Sequence, residues 1–172
     1  MLAPTAASSP KGVHTKNLVL VSALFFVFPI ASPAQAPGEV SCDNGVDIDR
    51  VQALVKKTVS ALAKDQPAVL QQINRGDKTW KDGDFYVVVL QGTKVLAHGY
   101  MPSMVGQDMS TLPYYGELAN AVEHMLARKN EGCVRYKAPK PSQRGQLEDK
   151  VSYVVKFNGT LRVLVGTYLV RK

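Results

Sequence analysis

KVSYVVKFNGTLRVLVGTYLV, residues 150–170, reads as two long strands joined by one tight turn. Lys150 to Phe157 and Leu161 to Val170 are rich in β-branched and aromatic residues, which favour an extended chain. Asn158-Gly159 between them is the strongest short hairpin signal, because both residues tolerate the positive φ that such turns require. The two strands therefore run antiparallel. Each is apolar on both faces, so a sheet built on them needs cover on both sides.

Toward the N-terminus, Pro139 to Asp149 is polar and reads as a hairpin-like loop, preceded by a short strand from Cys133 to Lys137. Tyr114 to Lys129 has helical periodicity, carrying Leu118, Ala121, Val122, Met125 and Leu126. Residues 99–112 mix glycine, proline and methionine too irregularly for a strand or a long helix. Phe85 to Leu90 is a strand, Gln91-Gly92-Thr93 a turn, and Lys94 to His98 the return strand.

From Asp47 the pattern is helical: Ile48, Val51, Leu54, Val55, Val59 and Leu62 form one apolar stripe, with Asp47 as the expected N-cap. Pro67 permits a second helix to start, and Asn74-Arg75-Gly76-Asp77 breaks it. Trp80 is expected to pack on the N-terminal helix, and Asp82 and Asp84 to form a turn rather than a metal site. The sum is an α+β fold: a five-stranded antiparallel sheet, a long N-terminal helix on one face, and residues 99–130 covering the other.

The start of the chain reads as an address. Lys11 and Lys16 supply positive charge, and no acid occurs before Glu39. Leu18 to Phe28 is apolar, but shorter than the roughly 20 residues that span a bilayer. Ala34-Gln35-Ala36 follows, so residues 1–36 form a signal peptide with cleavage expected after Ala36. Retention as an N-terminal anchor is the other reading. Residues 37–46 are an irregular lead-in, and 47–172 a single domain, periplasmic or secreted. Cleavage lowers the formal charge of +7 by two, and no arginine-rich stripe of the kind nucleic acid needs is present. Cys42 and Cys133 form an even pair in an oxidising compartment, where a disulfide is the expected state.

Several pieces together resemble a family. Trp80-x-Asp82-Gly83-Asp84-Phe85-Tyr86-Val87-x-Val89, Val95-Leu96-Ala97-His98 and Val105-Gly106-Gln107-Asp108-Met109 resemble the front half of a single Cache domain of type 2. Gly132-Cys133-Val134-x-Tyr136, Lys150-Val151-Ser152-Tyr153-Val154 and Val165-Gly166-Thr167-x-x-Val170 resemble its back half. The resemblance implies a PAS-like extracytoplasmic sensor domain with a small-molecule pocket on its sheet. Such domains commonly sense carboxylates or other small metabolites in chemoreceptors and sensor kinases. The family often carries an Asp where this chain has Pro113-Tyr114-Tyr115-Gly116, and with the chain ending at Lys172, just after the last strand, no output module is expected on it. Signalling would then run through a separate membrane-bound receptor or kinase, and a homodimer through the N-terminal helix is open to the chain.

A small anion in an apolar recess needs a few fixed donors. The candidates are Tyr86, His98, Tyr100, Met101, Tyr115, Tyr136, Lys150 and Tyr153. Lys150 and Tyr153 stand three apart in one strand and so face opposite ways. Lys150 either reaches a ligand from the strand's start or stands solvated at a loop end. The tyrosines are pocket residues or core residues with hydrogen-bonded hydroxyls. His98 ends a strand beside irregular chain and can donate to an anion, with titration expected near neutral pH; its other reading is a structural histidine. Tyr100, Met101, Met104, Tyr114 and Tyr115 would form a lid, although a cluster of Met and Tyr is more often plain core. No cofactor, metal or catalytic motif is expected, so an enzyme is not. The leading function is an exported sensor for a small organic acid; the alternative is an accessory subunit whose pocket has degenerated.

Overall fold

A computed structural model describes residues 38–44 and 47–169; the expected signal peptide, residues 1–36, and its expected cleavage site lie outside them. The hairpin that anchors the fold is present as β6 (Gln146–Phe157) and β7 (Leu161–Tyr168). Asn158 and Gly159 in its turn take φ of 45° and 69°. Beside this hairpin, β5 (Glu131–Lys140) pairs antiparallel with β6, and β3 (Phe85–Gln91) pairs with β7. The return strand β4 (Lys94–His98) pairs with β3.

Among the described residues the sheet has seven strands rather than five. One addition is β1 (Gly38–Val40), which pairs with β5 from within the lead-in read as irregular. The other is β2 (Lys81–Asp82), a two-residue partner of β3. Both are too short to show any periodicity of their own. The stretch read as a polar loop, Pro139 to Asp149, is mostly strand. Backbone pairing continues from Ala138↔Glu148 to Lys140↔Gln146 regardless of side-chain polarity. The true turn is tightened by positive φ at Arg144 and Gly145.

One face of the sheet is covered by α1 (Ile48–Asn74). Val51, Val55, Leu62, Val69 and Ile73 pack there on Val87, Val89, Val151, Tyr153, Val163 and Val165. The helix breaks at Asp65, whose ψ of 84° is extended and whose carboxylate accepts a hydrogen bond from the Ala68 amide at 3.1 Å. This is the two-helix reading, with Pro67 in the first turn of the second segment. Asp47 precedes α1 but makes no side-chain cap; its carboxylate stands 3.7 Å from Arg50 instead. Trp80 is buried with this layer, donating from Nε1 to Gln72 at 3.0 Å.

The other face is covered by α2 (Gly116–Leu126) and the irregular segment before it. Leu118, Val122, Met125, Met104 and Met109 pack there on Leu90, Val95, Val134, Val154 and Leu164. Arg162 on β7 clamps α2 with two hydrogen bonds to Glu123, at 2.7 and 2.8 Å. A disulfide joins Cys42 to Cys133, tying the start of the described chain to β5. No described helix is long and apolar enough to cross a membrane.

Candidate functional site

The α2-side face of the sheet carries the polar side chains that matter. Strand alternation places Lys150 and Ser152 on that face, with Tyr153 on the opposite one. Cross-strand register sets Lys150 between Tyr136 on β5 and Tyr168 on β7, and sets Ser152 opposite Gly166. Lys150, Tyr136, Ser152 and Gly166 line a cavity with Tyr86, Val88, His98, Leu118 and Leu164, closed by Met104, Met109 and Tyr115.

Lys150 is the unusual member. Its side chain is only 1% exposed. Nζ lies 3.8 Å from the centre of the Tyr86 ring and 4.7 Å from that of Tyr168. It donates to Tyr168 Oη at 3.4 Å. Among the described residues no carboxylate pairs with it. Asp84 is the acid that acts on it through space, but that carboxylate accepts from the Ser142 amide and hydroxyl and stands 3.9 Å from Lys140. Burial dominates and pushes the ammonium down to about 7, with Asp84 opposing. The space for this side chain comes from Gly166, where a Cβ would run into Lys150 and Ser152. Gly166→Ala is therefore expected to cost about 1–3 kcal/mol by overpacking, measured by urea unfolding.

His98 is fixed by its backbone surroundings. Nδ1 accepts from the amides of Met101 at 2.9 Å and Tyr100 at 3.3 Å. Nε2 therefore carries the proton and is the donor the ring offers. Asn74, the last residue of α1, holds this strand end: it accepts from the His98 amide and donates to the Leu96 carbonyl. The expectation that His98 titrates near neutral pH is corrected. Burial, reinforced by nearby Lys150, lowers it to about 3. The histidine is a neutral donor at physiological pH.

This has a consequence for stability. The unfolded histidine binds a proton near 6.5 while the native one does not until about 3. Stability therefore falls as pH drops through that window, by up to about 1.4 kcal/mol per unit for this one group. Urea unfolding of wild type and His98→Asn at pH 7 and pH 5 should show a steeper loss in wild type.

The remaining donors are tyrosines. Tyr136 Oη and Ser152 Oγ are 2.9 Å apart, and Tyr168 Oη donates to the Pro139 carbonyl. Burial raises Tyr86, Tyr136, Tyr115 and Tyr168 above the ordinary phenol range, so all keep their protons. The lining thus offers one cation, hydroxyls and an imidazole N–H against an apolar remainder.

Five of the eight sequence candidates line the cavity: Tyr86, His98, Tyr115, Tyr136 and Lys150. Tyr100 stacks on Tyr86 with ring centres 5.5 Å apart, and Met101 packs against the same core, so both back the wall rather than form it. Tyr153 lies outside the site, among the α1 contacts, because its position in the strand alternates away from Lys150. Tyr114 does not close the lid; it is 72% exposed with φ of 68°. Ser152, Gly166 and Tyr168 were not among the sequence candidates, although the even spacing of Ser152 from Lys150 places it on the same face. Asn74 carried no signal beyond helix breaking.

A sheet covered on both faces, with a donor-lined recess under one cover, is the PAS-like α+β class of fold. The profile of the Single Cache domain 2 family matches residues 46–168, and the chain belongs to that family. Cache domains are extracytoplasmic sensor domains for small-molecule ligands, commonly within chemotaxis or kinase receptors. No curated protein sequence matches the chain.

Solved structures share the fold. One, described as the structural basis for carboxylic acid recognition by a Cache chemosensory domain, superposes with a TM-score of 0.56 at 21% identity, covering 70% of this chain and 91% of that one. The periplasmic sensor domain of a chemotaxis protein gives 0.53 at 21% identity, over 70% and 88%. A methyl-accepting chemotaxis protein from Vibrio parahaemolyticus gives 0.55 at 15% identity, over 70% and 86%.

Proposed function

We propose that this protein is an exported sensor domain that binds a short monocarboxylate and passes occupancy to a separate membrane partner. The observation that carries the reading is Lys150, a buried cation facing a cavity with no carboxylate partner among the described residues. A buried charge is costly until it is paired, so the pocket is complementary to an anion it must acquire. The ligand carboxylate takes the Lys150 ammonium as counter-ion, with His98 Nε2–H and the Tyr86 and Tyr136 hydroxyls as further donors. Its carbon end lies against Val88, Met104, Met109, Leu118 and Leu164. One cation and an apolar remainder favour a single carboxylate over a dicarboxylate or an amino acid. The similarly folded domain described as recognising carboxylic acids supports the same chemistry.

Size limits the ligand to a short one that displaces part of the cover. The cavity volume is about 20 Å³, room for about one water. Acetate or propionate enters by displacing the Met104, Met109 and Tyr115 cover. That displacement bears on α2, and Glu39 of β1 is ion-paired to Arg128 and Lys129 just beyond it. Occupancy therefore reaches the segment that follows the signal peptide, cut after Ala36 in this reading. The protein acts by binding and not by catalysis.

Thermal unfolding of the purified protein with acetate, propionate, succinate and glycine tests the reading. A ligand at 100 times its Kd adds about 2.7 kcal/mol of stability. Acetate or propionate should do so and the others not, and His98→Ala and Tyr136→Phe should each weaken the effect. The small cavity also suits an accessory subunit with a degenerate pocket, for which no acid in the panel raises stability.

A further inference from the structure

The carboxylate reading leaves open what happens to the charge of Lys150 when the pocket is empty. The groups around its Nζ are the Tyr86 ring on β3, His98 on β4, Tyr136 on β5, Tyr168 on β7 and Tyr115 at the start of α2. All are neutral around pH 7: His98 because both its shift and its fixed Nδ1 acceptor role disfavour the imidazolium, the tyrosines because burial keeps their protons on. Asp84 acts from beyond the cavity wall and is bound by Ser142. Two aromatic faces and one 3.4 Å hydrogen bond to a tyrosine replace little of the hydration an ammonium loses. The empty pocket therefore holds Lys150 near the balance between amine and ammonium, and an entering carboxylate supplies the countercharge that favours the ammonium.

Resting on that reading, we propose that the pocket takes up its ligand as an acid: each carboxylate that meets Lys150 as the neutral amine brings one proton, which ends on Nζ. The balance is one carboxylate anion, one neutral amine and one proton in, one buried carboxylate–ammonium pair out, with no bond to carbon made or broken. Linkage makes the effect reciprocal, since an anion that raises the affinity of Lys150 for a proton is itself bound more tightly by the protonated form. In the range where the free amine is deprotonated, occupancy follows the product of carboxylate and proton concentrations. That product is proportional to the undissociated acid, so the sensor reports the weak acid rather than its salt.

Calorimetric titration of the protein with sodium acetate and with sodium propionate tests this. Measurements at pH 6, 7, 8 and 9 use paired buffers of different ionisation enthalpy, so that proton uptake is counted directly. The expected result is a Kd nearly constant from pH 6 to pH 7 and then rising toward tenfold per pH unit, with uptake approaching one proton per ligand. Lys150→Met should remove binding and uptake together. Lys150→Arg, if it binds acetate, should do so without uptake, because guanidinium stays charged throughout. A wild-type Kd unchanged from pH 6 to pH 9 with no proton uptake overturns this inference and leaves the carboxylate site standing. Absence of acetate and propionate binding at every pH overturns both.

Discussion

Lys150→Met is expected to stabilise the ligand-free protein while abolishing carboxylate binding. The native lysine is buried between tyrosine rings without an anion, a cost that methionine, of similar length and no charge, does not carry. At pH 6 the gain should be on the order of 1–4 kcal/mol, the range found when buried ionic groups give way to well-packed apolar ones. The sign of its pH dependence follows from the lowered native value of about 7 against 10.5 in the reference state. Below pH 7 both states are protonated and the wild type bears the full cost. Between pH 7 and 10.5 the unfolded chain holds the extra proton, so wild-type stability rises with pH and the advantage of methionine shrinks. Urea unfolding at pH 6 and pH 9, without ligand, should show that narrowing. A variant less stable than wild type at pH 6 would mean that Lys150 is satisfied in the free protein, and the functional argument built on it would fall.

Removing the disulfide should have the second large effect. Cys42 and Cys133 lie 91 residues apart in sequence with Cα atoms 5.2 Å apart. Cross-linking so distant a pair restricts the unfolded chain by about 4 kcal/mol in the chain-entropy account. The local consequence is sharper, because β1 has three residues at the sheet edge and its Val40 is the register partner of Cys133. Without the bond, that strand keeps its ladder, the partly buried Val40 and the exposed Glu39 pairs with Arg128 and Lys129. The Cys42→Ala/Cys133→Ala variant should lose about 4 kcal/mol in urea unfolding. Dithiothreitol should do the same to wild type and nothing to the variant. Acetate affinity should change far less, since Cys133 faces α1 while the pocket lies under α2.

Much of this was readable from local pattern. The Asn158-Gly159 turn, the apolar stripe of α1 and the break before Pro67 depend on residues close in sequence, whose preferences act before any tertiary contact forms. Strands β1 and β2 were not readable, because two or three residues acquire strand geometry only from a partner already in place. The extension of β5 and β6 through Pro139 to Asp149 escaped for a related reason. Backbone hydrogen bonds propagate a ladder past polar side chains once its register is set.

The site divides along the same line. By itself the sequence determined which chemical groups were available, the covered two-faced sheet, the likeness to Cache domains, and the opposite facing of Lys150 and Tyr153, all consequences of residue type and strand alternation. Only the tertiary structure decided that Lys150 is buried rather than solvated and bonded to Tyr168, that His98 is a neutral Nε2 donor, and that Ser152 and Gly166 line the recess. Those properties depend on which strands become neighbours and how closely they approach. Desolvation, the force that sets both charges, exists only after packing has removed the water.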